Sequence, residues 1–104
     1  MWQRATTGAS GGGSKRAEGT FSTIAGTATI TVSDLSEIEF VLAYYTQGGG
    51  NNSINTSASK INGTFTSYQW YGNVSNKISA INGNTFDITW GSANSGWNYI
   101  AYGK

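Results

Sequence analysis

From Thr27 to Ser33 the chain alternates without a break: Ala28, Ile30 and Val32 are apolar, and Thr27, Thr29, Thr31 and Ser33 are polar. A period of two puts one set of side chains on each face of a strand, so this segment reads as a strand with one wet face. Phe21 and Ile24 are expected in a short strand before it, turning near Gly26, and Ser33 to Ser36 reads as the turn after it. From Glu37 to Thr46, Ile38, Phe40, Leu42 and Tyr44 form one apolar face, while Val41 and Ala43 make the other face apolar in its middle. A helix would need polar residues where Val41, Ala43 and Tyr45 stand. The pattern therefore predicts a central strand.

Two Asn-Gly pairs sit between strand-like flanks, at Asn62-Gly63 and Asn82-Gly83, each a strong hairpin signal. For the second, a three-residue loop from Asn82 to Asn84 sets Ile78 opposite Ile88 and Ala80 opposite Phe86, with Asn84 in the left-handed conformation. A two-residue Asn82-Gly83 loop would set Ile78 against Asp87, so the longer loop is expected. Phe86, Ile88 and Trp90 then face inward and Thr85, Asp87 and Thr89 outward.

The closing segment, Trp97 to Lys104, is apolar on both faces: Trp97, Tyr99 and Ala101 on one, Ile100 and Tyr102 on the other. Such a strand is either central in its sheet or covered by a partner chain. Seven or eight short strands with frequent turns predict an all-β fold, an antiparallel β-sandwich of jelly-roll-like or Ig-like type. Residues 1–18, with the run Gly8-Ala9-Ser10-Gly11-Gly12-Gly13-Ser14, read as a flexible lead-in, with Lys15-Arg16 as a solvated step. Residues 19–104 form the sandwich domain.

Composition supports strands over helices. The 104 residues hold 15 glycines and no proline, with aromatics at 13%, and Thr, Ile, Tyr, Phe and Trp favour pleated structure. Six Lys and Arg against five Asp and Glu give a net charge of +1, too few cations for a nucleic-acid footprint. No apolar run reaches membrane-span or signal-peptide length, so neither membrane insertion nor a leader is expected. A surface of Ser, Thr, Asn and Gly suits a virion or extracellular protein.

The chemistry of catalysis is thinly represented. There is no His and no Cys, which removes the commonest general base, the thiol nucleophile and the thiolate metal site. Glu37 and Glu39 would serve as a glycosidase pair only in a groove; edge protection is the plainer reading. A calcium site at Asp34 is the other carboxylate option. The Asn-X-Ser/Thr triplets at Asn51, Asn55, Asn62 and Asn73 are what chance gives in a chain so rich in these residues. No catalysis and no cofactor are expected.

The surplus of aromatics is informative. Four Trp and six Tyr exceed what a small core needs, and such rings serve sugar stacking and protein interfaces. Phe40, Phe65, Phe86, Trp90 and Tyr99 are expected to fill the sandwich. Trp70-Tyr71 are adjacent, so one ring points away from the core, and Trp97 follows an Asn/Ser/Gly loop. The candidate ligand-binding residues are Trp70, Tyr71 and Trp97, with Asn94 or Asn73 as hydrogen-bond partners.

The opening Gly19-Thr20-Phe21, the strand Thr29-Ile30-Thr31-Val32, the hairpin Ile81 to Phe86 and the closing Trp97 to Gly103 together resemble the C-terminal modules of phage and prophage tail proteins. The resemblance spans residues 19–103 in style, and the hairpin and closing stretch are its specific parts. It implies a receptor-binding or structural tip on a virion, commonly a homotrimer, joined to an upstream shaft through the glycine-rich lead-in. No shaft or coiled-coil repeat is present, and the group has no fixed ligand motif to carry over. The partner expected on this basis is a glycan or host-surface receptor. Carbohydrate-binding or Ig-like accessory domains and virion decoration proteins are the alternatives.

Overall fold

The computed structural model describes residues 15–45, 54–69 and 77–104. They form eight strands: β1 (Lys15–Phe21), β2 (Gly26–Thr31), β3 (Ile38–Tyr45), β4 (Ile54–Ile61), β5 (Thr64–Gln69), β6 (Lys77–Asn82), β7 (Thr85–Trp90) and β8 (Trp97–Gly103). A five-stranded sheet has the order β1-β8-β3-β4-β5 and a three-stranded sheet the order β2-β7-β6. Every pairing is antiparallel. The protein is a β-sandwich.

β8 and β3 are both central strands of the larger sheet, which is why each is apolar on both faces. The inner face of that sheet carries Ala17, Val41, Ala43, Ala58, Tyr99 and Ala101, all buried. The smaller sheet answers with Ile78, Ile81, Phe86 and Ile88. The alanines of the larger sheet leave room for the larger side chains of the smaller one. At one end an aromatic cluster completes the core: Trp97 stacks on Phe21 with centroids 5.6 Å apart and meets Trp90 edge-on at 4.6 Å.

Two β-bulges change the expected phases. Pairing of β3 with β8 shifts between Ile38 and Phe40. The extra residue, Glu39, lets Ile38 and Val41 both point inward although they are three apart. Phe40, expected in the core, consequently lies half-buried on the outer face with Leu42 and Tyr44. Pairing of β6 with β7 shifts between Ile78 and Ala80, so Ile78 and Ile81 can likewise both be buried. Ile78 stands opposite Ile88 as expected, but Ile81, not Ala80, faces Phe86. The loop is Gly83-Asn84, between paired Asn82 and Thr85, and it is Gly83, at φ 60°, that takes the left-handed conformation rather than Asn84. The carbonyls of this turn accept the backbone N–H groups of Ile38 and Val32 at 2.8 Å, tying it to the β2–β3 connection. The other hairpin is the expected two-residue turn, with Asn62 and Gly63 at φ 54° and 79°, the type I′ pattern.

Other expectations shift more modestly. Lys15 and Arg16 belong to β1, paired with Gly103 and Tyr102, so the described sheet includes four residues placed in the expected lead-in. Ile24 lies outside the strands and is exposed, and Phe65 is 36% exposed. Phe86 and Tyr99 are buried, and Trp90 is partly buried against the core.

Candidate functional site

Of the ligand-binding residues expected from the sequence, Trp70 and Tyr71, with Asn73, lie outside the described residues. Trp97 is not on the surface. It is 1% exposed, enclosed by Phe21, Tyr45 and Trp90, because strict alternation along β8 puts it on the inner face with Tyr99 and Ala101. Its indole N–H finds no hydrogen-bond partner. Asn94 is half-buried and acts as a staple: its backbone exchanges bonds with Thr23. Its side chain accepts from Ser92 Oγ at 2.6 Å and donates to the Tyr45 hydroxyl at 3.4 Å. The structure therefore places Trp97 and Asn94 in core and loop roles.

The aromatic surface lies elsewhere, on the outer face of the five-stranded sheet. Cross-strand register sets two rows straight across it. One runs Arg16, Tyr102, Phe40, Ser59, Thr66; the other runs Glu18, Ile100, Leu42, Ser57, Tyr68. Tyr44 and Asn98 pair beside them. Tyr102 is 39% and Tyr68 57% exposed, while Phe40, Leu42, Tyr44 and Ile100 are half-buried side by side. The Phe40 and Tyr102 rings lie 6.3 Å apart with a 40° tilt, and they form a contiguous apolar band.

The band has a charged rim. Arg16 donates to Glu18 at 2.6 Å, and that bond, then one with Tyr102, holds the guanidinium above its ordinary pKa. Both groups are solvent-exposed, so the pair orients polar groups rather than stabilising the fold. The face offers rings for stacking and, at its β1 edge, a guanidinium and a carboxylate. All sit on strands, the rigid part of the molecule. The sequence signal for this face was the two-sided apolar character of the segments 38–45 and 97–102.

A second recess of about 240 Å³ opens at the hairpin end, lined by Ser36, Glu37, Lys60, Gly63 and Gly83 among others. Its charges are already engaged: Lys60 donates to the Ile81 carbonyl at 3.1 Å and Glu37 stands 3.7 Å from Lys104. Among the described residues no three His, Cys, Asp or Glu side chains come together as a metal-binding group, Asp34 included.

The chain matches no family model, no curated protein and no solved structure.

Proposed function

We propose that this domain is a non-catalytic adhesion module that binds glycan across the outer face of its five-stranded sheet. The observation that carries the reading is the pair of rows in which Tyr102–Phe40 and Ile100–Leu42 form an apolar band beside the Arg16–Glu18 pair, with exposed Tyr68 on the same face beyond Ser57. Sugar rings have apolar faces that stack on aromatic side chains, and their hydroxyls accept hydrogen bonds from a guanidinium, donate them to a carboxylate and exchange them with protein hydroxyls. The band lies on an open sheet face, which suits a ligand held by several partial contacts. The virion-tail or extracellular setting follows the resemblance of Gly19 to Phe21, Ile81 to Phe86 and Trp97 to Gly103 to phage tail modules.

The test is a glycan array probed with wild type, Tyr102→Ala and Tyr68→Ala. Wild type is expected to retain one glycan class, and Tyr102→Ala to lose about tenfold or more in affinity, the effect of truncating an anchoring aromatic. If no glycan is retained, or if both variants bind as wild type does, the reading fails.

A further inference from the structure

We propose that two copies of the chain associate edge to edge through β2, joining their three-stranded sheets into one. Sheet edges are normally guarded by charge, proline, bulges or a covering element. β1 carries Lys15, Arg16 and Glu18. β6 carries Lys77 and a bulge. Its Ile78 N–H donates to Thr56 Oγ1, and its Ile78 carbonyl accepts from Ser67 Oγ of the neighbouring β5. β5 also lacks charge and proline, but its Ser67 hydroxyl ties it to the β6 edge of the other sheet; β2, Gly-Thr-Ala-Thr-Ile-Thr, has no charge, no proline and an unbroken register with β7.

The alternation of the ladder says which of its backbone groups face out. Val32 N–H donates to the Asn84 carbonyl, which continues the β2–β7 register and marks a hydrogen-bonded pair. Counting back, Ile30, Ala28 and Gly26 also bond β7, and Thr31, Thr29 and Thr27 turn their N–H and C=O groups to the edge that no described strand pairs with. The side chains agree: Thr29 Oγ1 donates to Asp87 at 2.7 Å and the Thr27 and Thr89 hydroxyls lie 3.0 Å apart, the close approach expected of non-hydrogen-bonded pairs.

This edge is complementary to itself. In an antiparallel pairing about a two-fold axis at Thr29, Thr29 bonds Thr29 of the second copy, and Thr27 bonds Thr31. Every outward backbone group of the three threonines then finds a partner. The same register sets Ala28 against Ile30 on the inner face, small against large, and keeps all threonines on the wet face. A slip by one residue would break both relations.

A single cysteine reports this register, because the chain has none of its own. Opposed residues in a hydrogen-bonded pair have Cα atoms about 5.5 Å apart, within disulfide reach. Residue 27 would stand roughly 14 Å from its own copy. Under mild oxidation Thr29→Cys should form a covalent dimer and Thr27→Cys should not, while an equimolar mixture of Thr27→Cys and Thr31→Cys should cross-link. In sedimentation, wild type should shift from monomer to dimer with rising concentration, and Thr29→Lys should stay monomeric with unchanged circular dichroism. A Thr29→Cys yield no greater than that of Ser95→Cys on the exposed loop, equal linking of Thr27→Cys and Thr29→Cys alone, or a trimer would each overturn the proposal. The ligand face lies on the other sheet, so glycan binding by Thr29→Lys keeps the two questions separate.

Discussion

Tyr99 and Gly19 are cross-strand partners, and the phenol ring lies directly over the glycine backbone. A Cβ at position 19 would stand 2.8 Å from the Tyr99 hydroxyl and 2.9 Å from its ring carbons. An aromatic ring covering an edge-strand glycine shields backbone that has no side chain of its own. Gly19→Ala forces the ring aside within a packed core, an overpacking that costs about 1–3 kcal/mol. Urea unfolding should show the lower midpoint with little change in slope.

Gly103 is under a harder constraint. A Cβ there would fall against the backbone carbonyl of Glu37, which also accepts the Lys104 N–H at 2.9 Å. A backbone group cannot rotate away as a ring can. Gly103→Ala is therefore expected to destabilise more than Gly19→Ala, read as the larger drop in urea midpoint.

Burial, and then the negative charge of Asp34, raise the pKa of Tyr99 above the ordinary value of 10.0. The unfolded phenol ionises first, so the folded state holds more protons once the pH passes 10. The stability contributed by the neutral phenol is fully present below pH 10 and is lost as pH rises through the folded-state pKa. Denaturant midpoints measured from pH 8 to 11 should fall at the alkaline end, and Tyr99→Phe should flatten that fall.

Thr56 is fully buried, and its hydroxyl donates to the Tyr68 carbonyl at 2.7 Å and accepts the Ile78 N–H at 3.0 Å. One side chain thus joins the two sheets. Thr56→Val keeps the shape and strands a buried N–H, a loss of about 1–3 kcal/mol. Thr56→Ser keeps the hydroxyl and should cost distinctly less. Thermal melts of the pair distinguish the hydrogen bond from the methyl group.

Trp97 and Tyr68 separate core from surface. Trp97→Ala empties an aromatic-sized space and should cost about 3–5 kcal/mol, a large share of the 5–15 kcal/mol typical of domains. Tyr68→Ala should stay within about 0.5 kcal/mol of wild type while weakening glycan capture. Calorimetry beside the array reads both.

The strands were legible because alternation is a strong local signal: Thr27 to Thr31, Thr85 to Trp90 and the two-sided β3 and β8 all lie where the pattern puts them. The faces were less legible. A bulge at Glu39 or Ser79 leaves no mark in composition, yet it reverses which residues meet the core beyond it, and so Phe40 and Ala80 were read in the wrong phase. The burial of Trp97 is hidden in the sequence for a related reason. Trp97 follows a polar loop, which suggests exposure, but its phase along β8 is set by Tyr99 and Ala101, and these are inward. Tyr102 and Ile100 carried the surface signal in the same strand.

Lys15 and Gly103 stand opposite each other at one end of the β1–β8 ladder, and Phe21 and Trp97 at the other. Tension applied between Lys15 and Gly103 therefore peels the ladder one pair at a time. Tension between Lys15 and Trp97 pulls along the strands and loads every pair together in shear. The domain is mechanically soft when β1 and β8 are drawn apart from that one end, and stiff when force runs along them.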